Sequence, residues 1–275
     1  MLRFAVVCFC FVVFAFDTLA VEIIAHRGAS HDAPENTLAS VQLGWERNAD
    51  AVEVDVYLSK DGKIVVIHDE NTKRTTGHDG LVHKMTWAQL QKLDAGSWKD
   101  KKFKGEPIPL LSQLLETIPN GKYLVIEIKC GPEIIQPLVA LLKKTKTPPS
   151  KTAIISFSFE VVAAAKKQFP KRPVYFLSGV KQNKTTQRWE PAVDTLVKKA
   201  RDAALDGLSL GFKGAADDSA LLGYLRRMRK DTGSHKLGFY VWTVNDRRMA
   251  KMFTDVGVDG ITTDRPAFLR SIKDK

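Results

Sequence analysis

The 275-residue chain is 44% hydrophobic and 27% charged, enough apolar material for one full core, and no linker, low-complexity tract or internal repeat divides it. With 42 basic residues against 31 acidic ones it carries a formal net charge of +11, which favours anionic partners. Apart from short runs at 99–104 and 143–146 the basic residues are scattered. They lack the row of interleaved aromatics that a single-strand-binding groove needs, which argues against nucleic acid. Phosphodiesters remain as partners, and contact with an anionic membrane surface is compatible with the charge without being required by it.

Residues 1–20 read as a secretory leader. Arg3 gives a positive start, 4–16 is an apolar run of 13 residues too short to span a bilayer comfortably, and Thr18-Leu19-Ala20 offers a small-residue cleavage site. An uncleaved anchor is the alternative. Cleavage implies export to a periplasm or the exterior. It leaves Cys130 as the lone cysteine, so no internal disulfide is expected and stability must come from the core.

Val21–Ala25 is an apolar strand ending in His26-Arg27-Gly28, an imidazole and a guanidinium beside a flexible backbone, and a good anion site. Pro34-Glu35-Asn36-Thr37 opens a helix reaching about Asn48, with Asn36 suited to the N-cap. In Ala51–Leu58, valines alternate with carboxylates, so Glu53 and Asp55 share one face, roughly 6 to 7 Å apart, within reach of one hard cation. Ser59-Lys60-Asp61-Gly62 is turn chemistry, and Ile64–Ile67 returns as a hairpin partner that brings His68-Asp69 back toward those acids.

From Glu70 to Pro109 the pattern weakens into turn-rich pieces around one short helix, Trp87–Leu93. An insertion of that length in an otherwise regular fold suits a lid or wall. After a helix at Leu110–Ile118, Tyr123–Ile128 is a strand whose parity puts Glu127 and Lys129 on one face. Helices and strands then alternate: helix Glu133–Lys144, strand Thr152–Phe157, helix Phe159–Phe169, strand Pro173–Leu177, helix Ala192–Ala203, strand Gly207–Leu210, helix Asp218–Lys230. Strand Leu237–Thr243, helix Asp246–Val256, strand Gly260–Thr263 and helix Pro266–Ile272 close the series. Eight strand–helix units predict an α/β fold, a TIM (β/α)8 barrel with a small subdomain inserted after the second strand; a doubly wound open sheet is the alternative. In a barrel, Glu53, Asp55, Glu127, Lys129, Trp242 and the His26-Arg27 pair all end on the rim where this architecture places its chemistry.

Three carboxylates, two histidines and two cations on one rim suit metal-assisted cleavage of an anionic substrate. Oxygen-only ligation by Glu53, Asp55 and Glu127 favours Ca²⁺ or Mg²⁺ over Zn²⁺. Arg27 and Lys129 would neutralise a phosphate, and His26 and His68 fit proton transfer to and from the reacting oxygens. Trp242 suits a substrate wall, Asp69 a supporting or turn position, and His31, His78, His83 and His235 the surface. Cys130, of opposite parity to Lys129, suits packing against the helices.

Taken in order, His26-Arg27-Gly28, Pro34-Glu35-Asn36-Thr37, Glu53-Val54-Asp55, His68-Asp69 with Arg74-Thr75-Thr76-Gly77, Ile108-Pro109-Leu110, Glu127-Ile128-Lys129, Val241-Trp242-Thr243-Val244-Asn245 and Thr263-Asp264-Arg265-Pro266 closely resemble the glycerophosphodiester phosphodiesterase family. The resemblance covers about Ile23 to Leu269. It implies a TIM barrel with an insertion, His26 and His68 as the acid/base pair, a divalent cation on Glu53, Asp55 and Glu127, and phosphate on Arg27 and Lys129. The implied reaction is hydrolysis of glycerophosphodiesters to glycerol 3-phosphate and an alcohol, by direct attack of water or through a cyclic phosphate. Phospholipase D-like cleavage of lysophospholipids or sphingolipids is the alternative activity. Its mark would be a long apolar groove, for which Phe157, Phe159, Phe212 and Phe239 are the candidates. A catalytically silent phosphodiester- or membrane-binding protein is the alternative outside enzymes.

Overall fold

The computed structural model describes residues 21–213 and 219–273; the predicted leader and the first residue of the helix predicted from Asp218 lie outside them. The first half contains β1 (Glu22–Ala25), α1 (Leu38–Glu46), β2 (Ala51–Leu58), β3 (Ile64–Val66), α2 (Lys73–Thr76), α3 (Trp87–Leu90), α4 (Leu111–Leu115), β4 (Tyr123–Ile128) and α5 (Ile135–Lys144). The second half contains β5 (Thr152–Ser156), α6 (Phe159–Gln168), β6 (Val174–Gln182), β7 (Trp189–Glu190), α7 (Val193–Asp202), β8 (Gly207–Lys213), α8 (Ser219–Ser234), β9 (Gly238–Trp242), α9 (Arg247–Val256), β10 (Gly260–Thr263) and α10 (Pro266–Lys273). None of the described helices is long and apolar enough to cross a membrane.

Eight strands pair in parallel in the order β1-β2-β4-β5-β6-β8-β9-β10, and β10 pairs back to β1, which closes the barrel. The open-sheet alternative is thereby excluded. Two short strands lie outside the ring: β3 runs antiparallel to β2, and β7 runs antiparallel to an extension of β6. The expected strand Pro173–Leu177 thus continues to Gln182. Its last residues pair with Trp189 and Glu190 as a hairpin above the barrel, where mixed polar side chains leave no burial pattern to read.

Side-chain parity sorts the strands into two apolar layers. Val52, Val54, Val56, Leu124, Ile126 and Ile128 face outward into the large core beneath the helices, whereas Ala51, Val125, Ala153, Ile155 and Leu177 fill the lumen. Cys130 packs against the outer core, as its parity predicts. Residues 70–109 gather a small core of their own, with Val82, Met85, Leu90, Ala95 and Ile108 packing on Val65 and Ile67 of the hairpin arm. The segment holds two short α-helices, α2 and α3, rather than one, with 3-10 turns at Val82–Lys84 and Lys101–Phe103.

At the N-terminal end of the barrel one device recurs three times. Asp50, Asp206 and Asp259 each precede or open a strand, and each accepts the backbone N–H of a neighbouring strand: Ile23, Val174 and Phe239, at 2.9, 2.8 and 2.7 Å. Each is also paired with a cation, respectively Arg270, Lys166 and Arg229. The aspartates satisfy donors that the parallel ladder leaves open at its edge.

Candidate active site

The site grows from the register of three strands. Asp55 on β2 lies directly beside Glu127 on β4, and Glu53 sits two residues below on the same inward row. Their carboxylate oxygens lie within 4.8 Å of one another, and all three residues are buried. β1 ends alongside β2, which carries the His26-Arg27-Gly28 turn over the acids. The turn depends on Gly28: its φ is +83°, and a Cβ there would fall 2.4 Å from Ser40 in α1. The β2–β3 hairpin returns as expected, and Ile67 N–H bonds Asp55 C=O at 3.0 Å, which delivers His68 to the same mouth.

The acids are only partly compensated. Arg27 N–H donates to Glu53 Oε2 at 2.9 Å, Lys129 Nζ donates to Glu127 Oε1 at 2.7 Å and stands 3.4 Å from Asp55 Oδ1, and Arg27 Nε is 3.3 Å from Asp55 Oδ2. Glu53 Oε1 is buried with no hydrogen-bond partner. Burial, reinforced by the charges of Asp55 and Glu127, pushes the Glu53 carboxyl well above the usual carboxylate range, and burial with Asp55 raises Glu127. An orphaned oxygen and three crowded acids in an oxygen-only donor set fit a hard divalent cation. Burial alone would make Lys129 and Arg27 easier to deprotonate, but the acids around them outweigh it and hold both cations charged.

Each histidine is held by a carboxylate. His26 Nδ1 lies 2.7 Å from Asp264 Oδ1, and His68 Nδ1 lies 2.6 Å from Asp69 Oδ1. Burial works against ionisation of Asp264, but bonds from His26, Asn245 and Ser30 outweigh it and hold the carboxyl down to about 2. Burial likewise opposes ionisation of Asp69, and Arg74 and His68 overcome it. Ionised carboxylates only accept, so each Nδ1 carries the proton and each Nε2 is the nitrogen left to exchange one. Burial lowers the pKa of His68, an effect that neighbouring Arg27 and Lys129 strengthen and that Asp55 and Asp69 only partly offset.

His26, Arg27, Glu53, His68, Glu127, Lys129 and Trp242 all line one cavity of about 170 Å³, and Asp55 lies beneath it, 1% exposed. Trp242 anchors its indole N–H on Ser209 C=O at 3.1 Å and meets the Phe157 ring edge-on at 5.4 Å. Its ring occupies the space above Gly211, where a Cβ would come within 2.5 Å of the indole. Of the four phenylalanines considered for an apolar groove, only Phe157 reaches this mouth. Phe239 is fully buried and Phe212 packs against the outer core, because their parity on β9 and β8 turns them away from the lumen, while Phe159 opens α6 in the helical layer and packs on the same outer core.

Sequence reasoning missed several supporting residues. Asn36 is not the N-cap of α1: Thr37 is, its hydroxyl accepting from Ser40 N–H while the Ser40 hydroxyl accepts from Thr37 N–H. Asn36, at a φ of 59°, instead grips Asp55 twice, donating Nδ2–H to Oδ2 at 2.8 Å and accepting the backbone N–H at 3.0 Å. Glu35 bridges Arg27 and Arg74, and Asn245 links Thr263 to Asp264 behind His26. His31, His78, His83 and His235 are exposed, as expected.

Residues 26–268 match the model of the glycerophosphoryl diester phosphodiesterase family. A glycerophosphodiester phosphodiesterase of Caldanaerobacter subterraneus subsp. tengcongensis is 32% identical over 252 residues, covering 90% of this chain and 95% of the relative. One of Bacillus subtilis is 31% identical over 268 residues, covering 91% and 85%. Among solved structures, an Oleispira antarctica phosphodiesterase in complex with its product sn-glycerol-3-phosphate superposes with a TM-score of 0.77 at 29% identity, over 92% of this chain and 97% of its own. With the closed barrel, the ordered motifs and a match spanning nearly its whole described length, the chain belongs to the glycerophosphoryl diester phosphodiesterase family.

Proposed function

We propose that this protein hydrolyses glycerophosphodiesters to glycerol 3-phosphate and an alcohol, with one divalent cation, Ca²⁺ or Mg²⁺, held by Glu53, Asp55 and Glu127. The observation that carries the reading is the meeting of three buried acids, two carboxylate-backed histidines and two cations around one cavity. A cation at the three acids would supply Lewis-acid polarisation of the phosphoryl group. Arg27 and Lys129 bind the phosphate oxygens and offset the charge that grows on them. His68, kept neutral by its surroundings, takes the proton of the attacking oxygen through Nε2, and His26 gives one to the leaving oxygen. Trp242 and Phe157 wall the substrate. Confinement of the apolar lining to a few residues at the mouth supports a water-soluble diester over a lysophospholipid. The leader-like residues 1–20 support action outside the cytoplasm.

Release of glycerol 3-phosphate from glycerophosphodiesters tests the reading. Excess chelator should abolish turnover and added Ca²⁺ or Mg²⁺ restore it, whereas full activity under chelation would reject the cation. His26→Ala and His68→Ala should each lose roughly 10² to 10⁴ in rate with the fold intact. Near-normal turnover in either variant removes that histidine from the mechanism.

A further inference from the structure

We propose that the compartment between residues 70–109 and the turn after β1 is the subsite for the leaving alcohol, and that it selects hydroxyl-rich, non-cationic head groups over quaternary ammonium ones. The inference rests on the phosphodiesterase reading above.

Two cavities meet at His26 and Arg27. One, of about 170 Å³, lies in the lumen among Ile155, Leu177, Trp242 and Thr262, enclosed by barrel strands. The other, of about 320 Å³, lies between Ser30, His31, Trp98 and Lys99, and opens to solvent past His31 and the 41%-exposed Trp98. In-line displacement sets the attacking oxygen across the phosphorus from the departing one, so the leaving arm points away from the attacking side, and where a hydroxyl of the glycerol arm attacks, that arm lies opposite the leaving alcohol. Glycerol, the constant arm, suits the enclosed lumen of fixed size; the variable arm needs the larger, open side. His26 stands where the two spaces join, within reach of the departing oxygen.

The charges in the open compartment are unequally committed. Two carboxylates line it, and both are spent. Glu35 Oε1 accepts from Arg27 and Arg74 and Oε2 from Arg74, while Asp264 Oδ1 accepts from His26 and Ser30 and Oδ2 from Asn245. The His31 ring is also engaged, Nδ1 on Asp32 and Nε2 beside Arg265. Lys99 gives one hydrogen bond to Ser30 C=O at 2.7 Å, which leaves donors of its ammonium group for a ligand. The aromatic face that would hold a quaternary ammonium is that of Trp98, and the Lys99 ammonium already sits 5.8 Å from its centroid. The compartment therefore offers hydrogen-bond donors and positive charge to a head group, and no uncommitted carboxylate for a cation.

The test is kcat/KM of the full-length enzyme, with divalent cation, on glycerophosphoglycerol and on glycerophosphocholine. The wild type should prefer the glycerol head group at least tenfold. Lys99→Arg should keep the preference, Lys99→Gln should weaken it, and Lys99→Glu should lower the ratio of the two constants at least tenfold. A wild-type ratio near one, or a Lys99→Glu variant that slows both esters equally, overturns the subsite and reduces Lys99 to a tie between the insertion and Ser30. No turnover of either ester by the wild type would instead sink the phosphodiesterase reading on which the subsite depends.

Discussion

Both oxygens of Asp264 accept hydrogen bonds, from His26 and Ser30 on one side and Asn245 on the other. An asparagine in its place must turn its NH₂ toward one of these donors, so either His26 loses its acceptor or Asn245 faces a like group. Asp264→Asn is therefore expected to cost about 10² in kcat while KM changes by less than about threefold, because the Arg27 and Lys129 proposed to bind phosphate are left in place. Equal losses in kcat and folded fraction would make the residue structural only. Glu53 and Asp55 were legible in the sequence because two residues on one strand declare their shared face through parity alone. Asp264 and His26 are 238 residues apart and Asn36 and Asp55 are 19 apart, and nothing local announces either pairing. Asparagine suits an N-cap, but the next residue, Thr37, takes that place, which leaves the Asn36 amide for the acid on β2.

At the scale of elements, periodicity located all eight barrel strands because each carries at least one buried apolar residue facing the helices, from the single Ile154 and Ile261 of β5 and β10 to three valines on β2. It failed where no such burial exists, at β7 and the tip of β6, and across α2 and α3, where a small core assembled from distant turns replaces periodicity. The aspartate latches are a second case, since an acid before an apolar run looks like ordinary turn chemistry until the neighbouring strand is in place. Asp206→Ala should leave Val174 N–H without its acceptor and Lys166 with carbonyl partners but no carboxylate, and should lower unfolding free energy by about 1–2 kcal/mol. A shift in urea midpoint at unchanged m-value would register this, with kcat near wild type because the latch lies at the end of the barrel away from the chemistry. Unaltered stability would mean that water replaces the carboxylate without loss.

For the molecule as a whole, the acids that make the site also strain the fold that holds it. Glu53 and Glu127 have folded pKa values above the ordinary 4.5, so over that interval the native state binds protons that the unfolded chain has released. Without a cation, stability must then fall as pH rises from about 4.5 through the raised values and level off beyond them. A divalent ion bound by the native state reverses the loss. At a hundredfold excess over its dissociation constant it adds about 2.7 kcal/mol, or roughly 5–10 °C in Tm for a domain of this size. The gain should be largest near pH 8 and shrink toward pH 5, where the ion must displace protons from the same oxygens. Thermal unfolding in chelator and in Ca²⁺ or Mg²⁺ at the two pH values measures both trends. Glu53→Gln should raise Tm in chelator at pH 8, since it removes one buried charge, and should forfeit much of the cation's stabilisation. A wild-type Tm indifferent to cation at pH 8 would mean that the three acids do not bind one.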